Sequence, residues 1–235
     1  MHAAQRQMLL DLKPEQPPTL SNFVIGANTE LVQRLRSLGD ARSFEALYLW
    51  GPQACGKSHL LEATAELARG RRPVALLRGE EAGAELKLAP GSLLVIDDVQ
   101  ELPAEAQIAL FRAFNTARFL GLAMLLAGTE PPLRLELRED LRTRIGQTLI
   151  YEIQPLSDEQ KATALQRHAI ERGMLIEPPV LQYLLRHGRR DLSSLMATLD
   201  CLDRASLEQK RPPTAPLLRE LMQNSLDLDK DVGKQ

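Results

Sequence analysis

The sequence predicts an α/β domain built on a parallel five-stranded sheet, followed by a small all-helical domain. Three observations predict it. Up to Pro155, short and wholly apolar runs alternate with helical patterns, and an apolar strand without in–out alternation marks a parallel sheet covered on both faces. The run Leu47–Trp50 leads directly into a glycine-bounded loop that opens a helix. Beyond Pro155 the strand pattern stops and only helical periodicity remains.

Strands are expected at Leu47–Trp50, Val74–Leu77, Leu93–Ile96, Leu122–Ala127 and Leu149–Ile153. Helices are expected at Lys57–Leu67 and at Ala104–Phe119, where Ile108, Leu110, Phe111 and Phe114 recur at near-helical spacing. Ser157 with Gln160 three residues on is a capping box, which opens a helix at 158–172. Further helices follow at 179–187, opened by Pro178 and Pro179, and at 191–209, with the apolar stripe Leu192, Leu195, Met196, Leu199 and Leu202. Leu217, Leu218, Leu221 and Met222 point to a last short helix. Pro14, Pro17 and Pro18 forbid a helix before the globular pattern, which begins at Phe23. The expected domains are an extended tail over 1–18, the α/β domain over 19–155, a helical lid over 156–226 and a disordered tail over 227–235.

Bulk properties narrow the function classes. A net charge of −2 leaves no global basic field to attract nucleic acid. The two cysteines, Cys55 and Cys201, have neither disulfide nor metal spacing. The N-terminus lacks an apolar leader and no run approaches the length of a membrane span, so a cytoplasmic protein without a membrane partner is expected.

The loop Gly51-Pro52-Gln-Ala-Cys-Gly56-Lys57-Ser58 fits G-x-x-x-x-G-K-[ST] between strand and helix. Glycines let backbone N–H groups curl round phosphates, a lysine neutralises the β and γ oxygens, and the serine hydroxyl ligates Mg²⁺. From residue frequencies, a chance match in such a chain has odds on the order of one in 500. The expected cofactors are ADP or ATP with Mg²⁺.

Asp97 and Asp98 end the third strand. Two acids there can be a solubilising turn. Next to a phosphate loop, Asp97 is placed to hold the metal through water and Asp98 to orient or deprotonate an attacking water. Thr129, after the fourth strand, would lie between two acid-bearing strands beside the γ-phosphate, or serve as a turn residue before Pro131 and Pro132. Arg144 precedes the fifth strand and Arg190 opens the third lid helix. Solvated surface is the ordinary state of an arginine. A guanidinium at the domain rim can nevertheless reach a neighbouring subunit's phosphate, and one on the lid its own.

The set SNFVIGANTEL, LYLWGPQACGKSHLLEA, LLVIDDVQ, LLAGTEPP, LRTRI, YEIQPLSDEQK and RRDLSSLMATLDCLDRAS resembles the DnaA replication-initiator family of AAA+ proteins, and within it the DnaA-homologous regulatory inactivators. The resemblance covers roughly residues 7–226. It implies Walker A roles for Lys57 and Ser58, Walker B roles for Asp97 and Asp98, sensor 1 for Thr129, the arginine finger for Arg144 and the sensor 2 arginine for Arg190. It implies adenine contact by the backbone at Val24 and Ile25. It implies docking of Gln7-Met8-Leu9-Leu10-Asp11-Leu12 on the DNA polymerase III sliding clamp through Gln7, Met8, Leu10 and Leu12. The implied function is regulatory inactivation of DnaA: a clamp-bound protein with weak or no ATPase of its own triggers hydrolysis of DnaA-bound ATP, restraining replication initiation.

Four departures from the family pattern shape the expectation. The sequence stops after the lid without a helix-turn-helix, as expected for a regulator and not the initiator. The segment Arg78–Ser92 is shorter than the family's usual insert, and the run VQELPAEA directly after Asp98 holds no basic residue, so DNA is expected to be contacted only through the clamp. Thr129-Glu130 stands in place of the more usual Asp-Arg. A homo-oligomer is left open. The alternatives are an AAA+ ATPase acting as a helicase loader or other replication motor, which would hydrolyse ATP unaided, and a small-molecule P-loop kinase, for which no acceptor pocket is recognisable.

Overall fold

The structure is a computed structural model that describes residues 17–40 and 44–232, with side chains described up to Gln223. The clamp-peptide residues Gln7, Met8, Leu10 and Leu12 lie outside the described residues. The chain divides into two units with the boundary between Pro155 and Leu156.

In the first unit, α1 (Thr29–Leu38), β1 (Ala46–Trp50), α2 (Lys57–Arg69), β2 (Val74–Arg78), β3 (Leu93–Asp97), α3 (Ala104–Leu120), β4 (Ala123–Gly128), α4 (Glu139–Gly146) and β5 (Leu149–Glu152) follow in order. All five strands are parallel, in the spatial order β2-β3-β4-β1-β5. Because successive side chains point to opposite faces, β1, β3 and β4 divide their apolar residues between two cores. Leu47, Leu49, Leu93, Val95 and Leu125 pack with Leu35 of α1 and Leu60 and Leu61 of α2. Tyr48, Leu94, Ile96, Met124 and Leu126 pack with Leu110 of α3 and Leu141 and Ile145 of α4. This two-sided burial is the physical reason β1, β3 and β4 read as unbroken apolar runs.

The sequence reading left out α1 and α4. Only two residues of α4, Leu141 and Ile145, are buried, so its eight charged-rich positions carry little periodic signal.

The second unit is helical: α5 (Asp158–Glu171), α6 (Pro178–His187), α7 (Leu192–Gln209) and α8 (Ala215–Val232). Ser157 Oγ accepts from the Gln160 amide at 3.2 Å, and Gln160 Oε1 accepts from the Ser157 amide at 3.0 Å, completing the expected capping box. Leu195, Leu199 and Leu202 of α7 enter a core with Leu165, Val180, Leu184, Leu217 and Leu218. Between α5 and α7, Asp200 Oδ1 takes His168 Nε2 at 2.7 Å and Arg172 Nε at 2.6 Å. Two expectations are corrected here. Helix α8 runs to Val232, into the stretch expected as a disordered tail from 227, because neither proline nor glycine stands between Pro216 and Gly233 to stop it. Arg190 stands before the N-cap Asp191, outside α7 itself.

Candidate phosphate-binding site

Strand order builds the site. β4 lies between β1, which feeds the glycine loop, and β3, which ends in the acids, with Trp50 opposite Gly128 and Ile96 opposite Leu126. Ligands of open α/β sheets bind beyond the carboxyl ends of strands where neighbours diverge. Thr129, one residue past β4 and half-buried, therefore stands between the loop strand and the acid strand. The expectation of two flanking acid-bearing strands is corrected: of the two neighbours of β4, β3 ends in acids and β1 ends in Trp50.

The loop is shaped by left-handed backbone. Ala54 has φ 57° and Gly56 φ 100°, conformations that turn successive N–H groups inward and are disfavoured for residues with a Cβ. At Gly56 a Cβ would also come within 2.9 Å of Phe23 Cε2. Lys57 opens α2, is 6% exposed, and donates from Nζ to the Gly51 and Pro52 carbonyls at 2.9 Å each. An ammonium buried to this degree is the charge a phosphate oxygen would meet. Cys55 Sγ lies 4.0 Å from that ammonium. Burial pushes its thiol up from the ordinary value, outweighing the pull of Lys57.

Ser58 Oγ donates to Asp97 Oδ2 at 2.5 Å. The other carboxylate oxygen, Oδ1, accepts the Asp98 amide at 2.9 Å. Asp98 itself is left-handed, with φ 50° and ψ 55°. Its Oδ1 accepts from Gln100 Nε2 at 2.9 Å, and its carbonyl rests on Gly79, where a Cβ would collide with it. Mg²⁺ takes one or two protein oxygens and completes its shell with phosphates and water. Ser58 Oγ beside Asp97 fits that requirement. Among the described residues no cluster of three or more His, Cys, Asp or Glu could hold a metal alone.

Sequence reasoning missed several supporting residues. Tyr48, fully buried on β1, donates to the Glu130 carbonyl at 2.6 Å and anchors the turn after Thr129; burial and nearby Glu130 push its hydroxyl far above the usual tyrosine range. Gln100 was visible in the LLVIDDVQ run, but nothing local indicated its grip on Asp98. Asn28, 5% exposed, accepts the Gln154 amide at 2.8 Å and donates to the Gln154 and Ile25 carbonyls at 3.0 and 3.1 Å. It thereby ties the half-buried Val24–Ile25 segment to the end of β5. Phe23 stacks at 5.6 Å on His59, whose Nε2 meets the Thr19 carbonyl at 3.0 Å, holding the same segment to the first turns of α2.

The structure thus brings together Gly51, Pro52, Gly56, Lys57, Ser58, Asp97, Asp98 and Thr129. Arg144 takes its contacts elsewhere: Nη2 donates to Asn115 Oδ1 at 2.8 Å, and the guanidinium carbon lies 5.9 Å from the Phe111 ring centre. Arg190 is exposed and belongs to the helical unit. No described helix is long and apolar enough to cross a membrane.

Residues 158–222 match the family model described as Hda, lid domain. The fold is similar to domain III of the Thermotoga maritima replication initiation protein DnaA, with a TM-score of 0.74 and 19% identity over 90% of this chain and 98% of that one. It is similar to DnaA from Aquifex aeolicus bound to AMPPCP, with a TM-score of 0.66 and 22% identity over 82% of this chain and 66% of that one. It is also similar to Thermotoga maritima RuvB, with a TM-score of 0.71 and 17% identity over 88% and 72% of the two chains. At these identities the structural likenesses establish the fold alone, a parallel α/β domain followed by a helical one.

Proposed function

We propose that this chain, a DnaA-like AAA+ protein of the Hda family, is a replication regulator that holds an adenine nucleotide and promotes hydrolysis of ATP bound to DnaA. The observation that carries the reading is an Hda-type lid at 158–222 on an AAA+ unit with a built phosphate loop.

In this reading ADP or ATP lies along the loop. The N–H groups around Gly56 and the Lys57 ammonium receive the phosphates, and Ser58 with Asp97 holds Mg²⁺, which supplies positive charge to the phosphate oxygens when bound. Thr129 faces the terminal phosphate, Arg190 has the role of the sensor 2 arginine, and the Val24–Ile25 backbone meets the base. Asp98, held by Gln100, is the residue available to orient a water. The chain's own turnover is weak or absent, and Arg144 acts on the partner's nucleotide. Charge spreads over the γ-phosphoryl oxygens during hydrolysis, and an arginine supplied in trans accelerates that step by about 10³–10⁵ in GTPases. Recruitment runs through Gln7, Met8, Leu10 and Leu12 on the DNA polymerase III sliding clamp, so DNA is met through the clamp, in the cytoplasm. The AMPPCP complex of Aquifex aeolicus DnaA supports the nucleotide class.

A motor or helicase loader is the competing reading; the lid match favours the regulator. The deciding experiment follows conversion of DnaA-bound radiolabelled ATP to ADP with clamp-loaded DNA. Wild type should accelerate it, Arg144→Ala should fail while retaining nucleotide, and Arg144→Lys should fail nearly as badly because a point charge does not reproduce the planar fork. Equal stimulation by Arg144→Ala, or rapid turnover by the isolated protein, would overturn the reading. Clamp capture should be lost on Gln7→Ala or on Leu10→Ala with Leu12→Ala.

A further inference from the structure

We infer that Asn115 is a positioning residue for Arg144: through a neutral hydrogen bond it orders the guanidinium while leaving its charge free for an anionic phosphate presented by another molecule. The inference rests on the proposal that Arg144 acts in trans.

Arg144 is exposed on α4. A long side chain in that setting samples many rotamers and must give up that freedom on engaging a phosphate. Here two groups restrict it beforehand. Phe111 and Asn115 lie four residues apart on α3, hence one above the other on one face. The ring flanks the guanidinium carbon at 5.9 Å and Asn115 Oδ1 accepts from Nη2 at 2.8 Å. The base beneath them is firm, because Leu110 and Ala113 of α3 share a buried core with Leu141 and Ile145 of α4.

The choice of partner is the telling feature. Several other arginines of this unit are held by carboxylates: Arg34 by Glu45, Arg69 by Glu66, and Arg138, on the approach to the same helix, by Asp140. Among the described residues Arg144 has no such ion pair; its hydrogen-bond partner is an amide. A carboxylate at that place would order the side chain equally well but would offset its charge and compete with an incoming phosphate for the same N–H groups. An amide oxygen accepts one N–H and offsets nothing, and guanidinium has five. Ordering without neutralisation suits a cation meant for a guest phosphate.

The test measures hydrolysis of DnaA-bound radiolabelled ATP with clamp-loaded DNA, at saturating amounts of each variant. Asn115→Ala should lower the stimulated rate about three- to ten-fold, the loss of one hydrogen bond. Asn115→Asp should lower it further, by about ten-fold or more, because the new carboxylate pairs with the arginine. In an Arg144→Ala background Asn115→Asp should have no additional effect. Melting temperature and ADP affinity should match wild type in both Asn115 variants, which a purely structural role would not leave unmoved. An Asn115→Asp rate at or above that of Asn115→Ala overturns the inference, and if Arg144→Ala is inactive in the same assay the trans reading stands without it. Full stimulation by Arg144→Ala overturns both.

Discussion

The Ser58 hydroxyl donates to Asp97 Oδ2 at 2.5 Å, joining the first turn of α2 to the end of β3 across 39 positions of sequence. The two elements meet because only β4 separates their strands in the sheet. This bond places two oxygens of metal-binding type beside a buried ammonium, and from it a division of labour follows.

Ser58→Ala should weaken binding of fluorescent ADP about tenfold in the presence of Mg²⁺ and leave affinity in excess EDTA close to wild type. Lys57→Ala removes the ammonium itself and should cost roughly 1.5–3 kcal/mol in both conditions. Titration of the two variants with and without chelator separates the roles. Unchanged affinity for Lys57→Ala would mean the loop is not the site.

Gly79 closes against the acid turn from β2. A Cβ there would fall on the Asp98 carbonyl oxygen and come within 3.0 Å of its carbon. Neither atom is the end of a flexible side chain, so backbone must move. Gly79→Ala is expected to destabilise the protein by about 1–3 kcal/mol and to weaken Mg²⁺-dependent nucleotide binding beyond what that loss explains. Denaturant titration and ADP binding on the same sample test both.

Arg72, 6% exposed, donates to the carbonyls of Gly91 at 2.7 Å, Leu38 at 3.4 Å, Asp40 at 3.1 Å, Ser92 at 3.1 Å and Gly121 at 3.3 Å. It gathers the chain ahead of β3 and β4 with the end of α1. Burial lowers its basicity and nearby Asp40 partly restores it. A lysine ammonium cannot span the carbonyls that a guanidinium fork reaches. Arg72→Lys should therefore cost about 2–4 kcal/mol by urea denaturation, in line with stranding several buried acceptors.

Asp191 caps α7, its Oδ1 accepting the Ser194 amide at 2.8 Å and the Ser193 hydroxyl at 2.9 Å. Burial alone would raise this carboxyl, but bonds from Ser194 and Ser193 outweigh it and hold the group below its ordinary value. A depressed folded-state pKa contributes stability above the unfolded value, near 4, that is lost as pH falls through the lower folded value. Asp191→Ala should cost about 0.5–2 kcal/mol at pH 7. That gap should shrink as pH falls below the ordinary carboxylate value, near 4, which urea denaturation of both proteins at neutral and acid pH would show.

What the sequence determined by itself is what short-range interactions decide. Short apolar runs alternating with helical patterns announced five parallel strands, and Gly51 to Ser58 announced a phosphate loop because its chemistry is written in consecutive residues. The Ser157–Gln160 cap spans three positions and was equally legible. Helix α4 was not, since only Leu141 and Ile145 of its residues face a core, and the continuation of α8 was hidden behind acidic residues that do not stop a helix.

The tertiary structure alone decided which distant groups share a site. Nothing local indicates that Asn28 meets Gln154 126 positions away, that Tyr48 reaches the Glu130 carbonyl across 82, or that Arg144 rests on Asn115 across 29. These pairings depend on strand order and helix packing. A hydrogen bond reaches about 3 Å, so whether two residues can form one is settled only once the sheet has brought their strands together. Residue chemistry proposed the parts; the order β2-β3-β4-β1-β5 chose which of them touch.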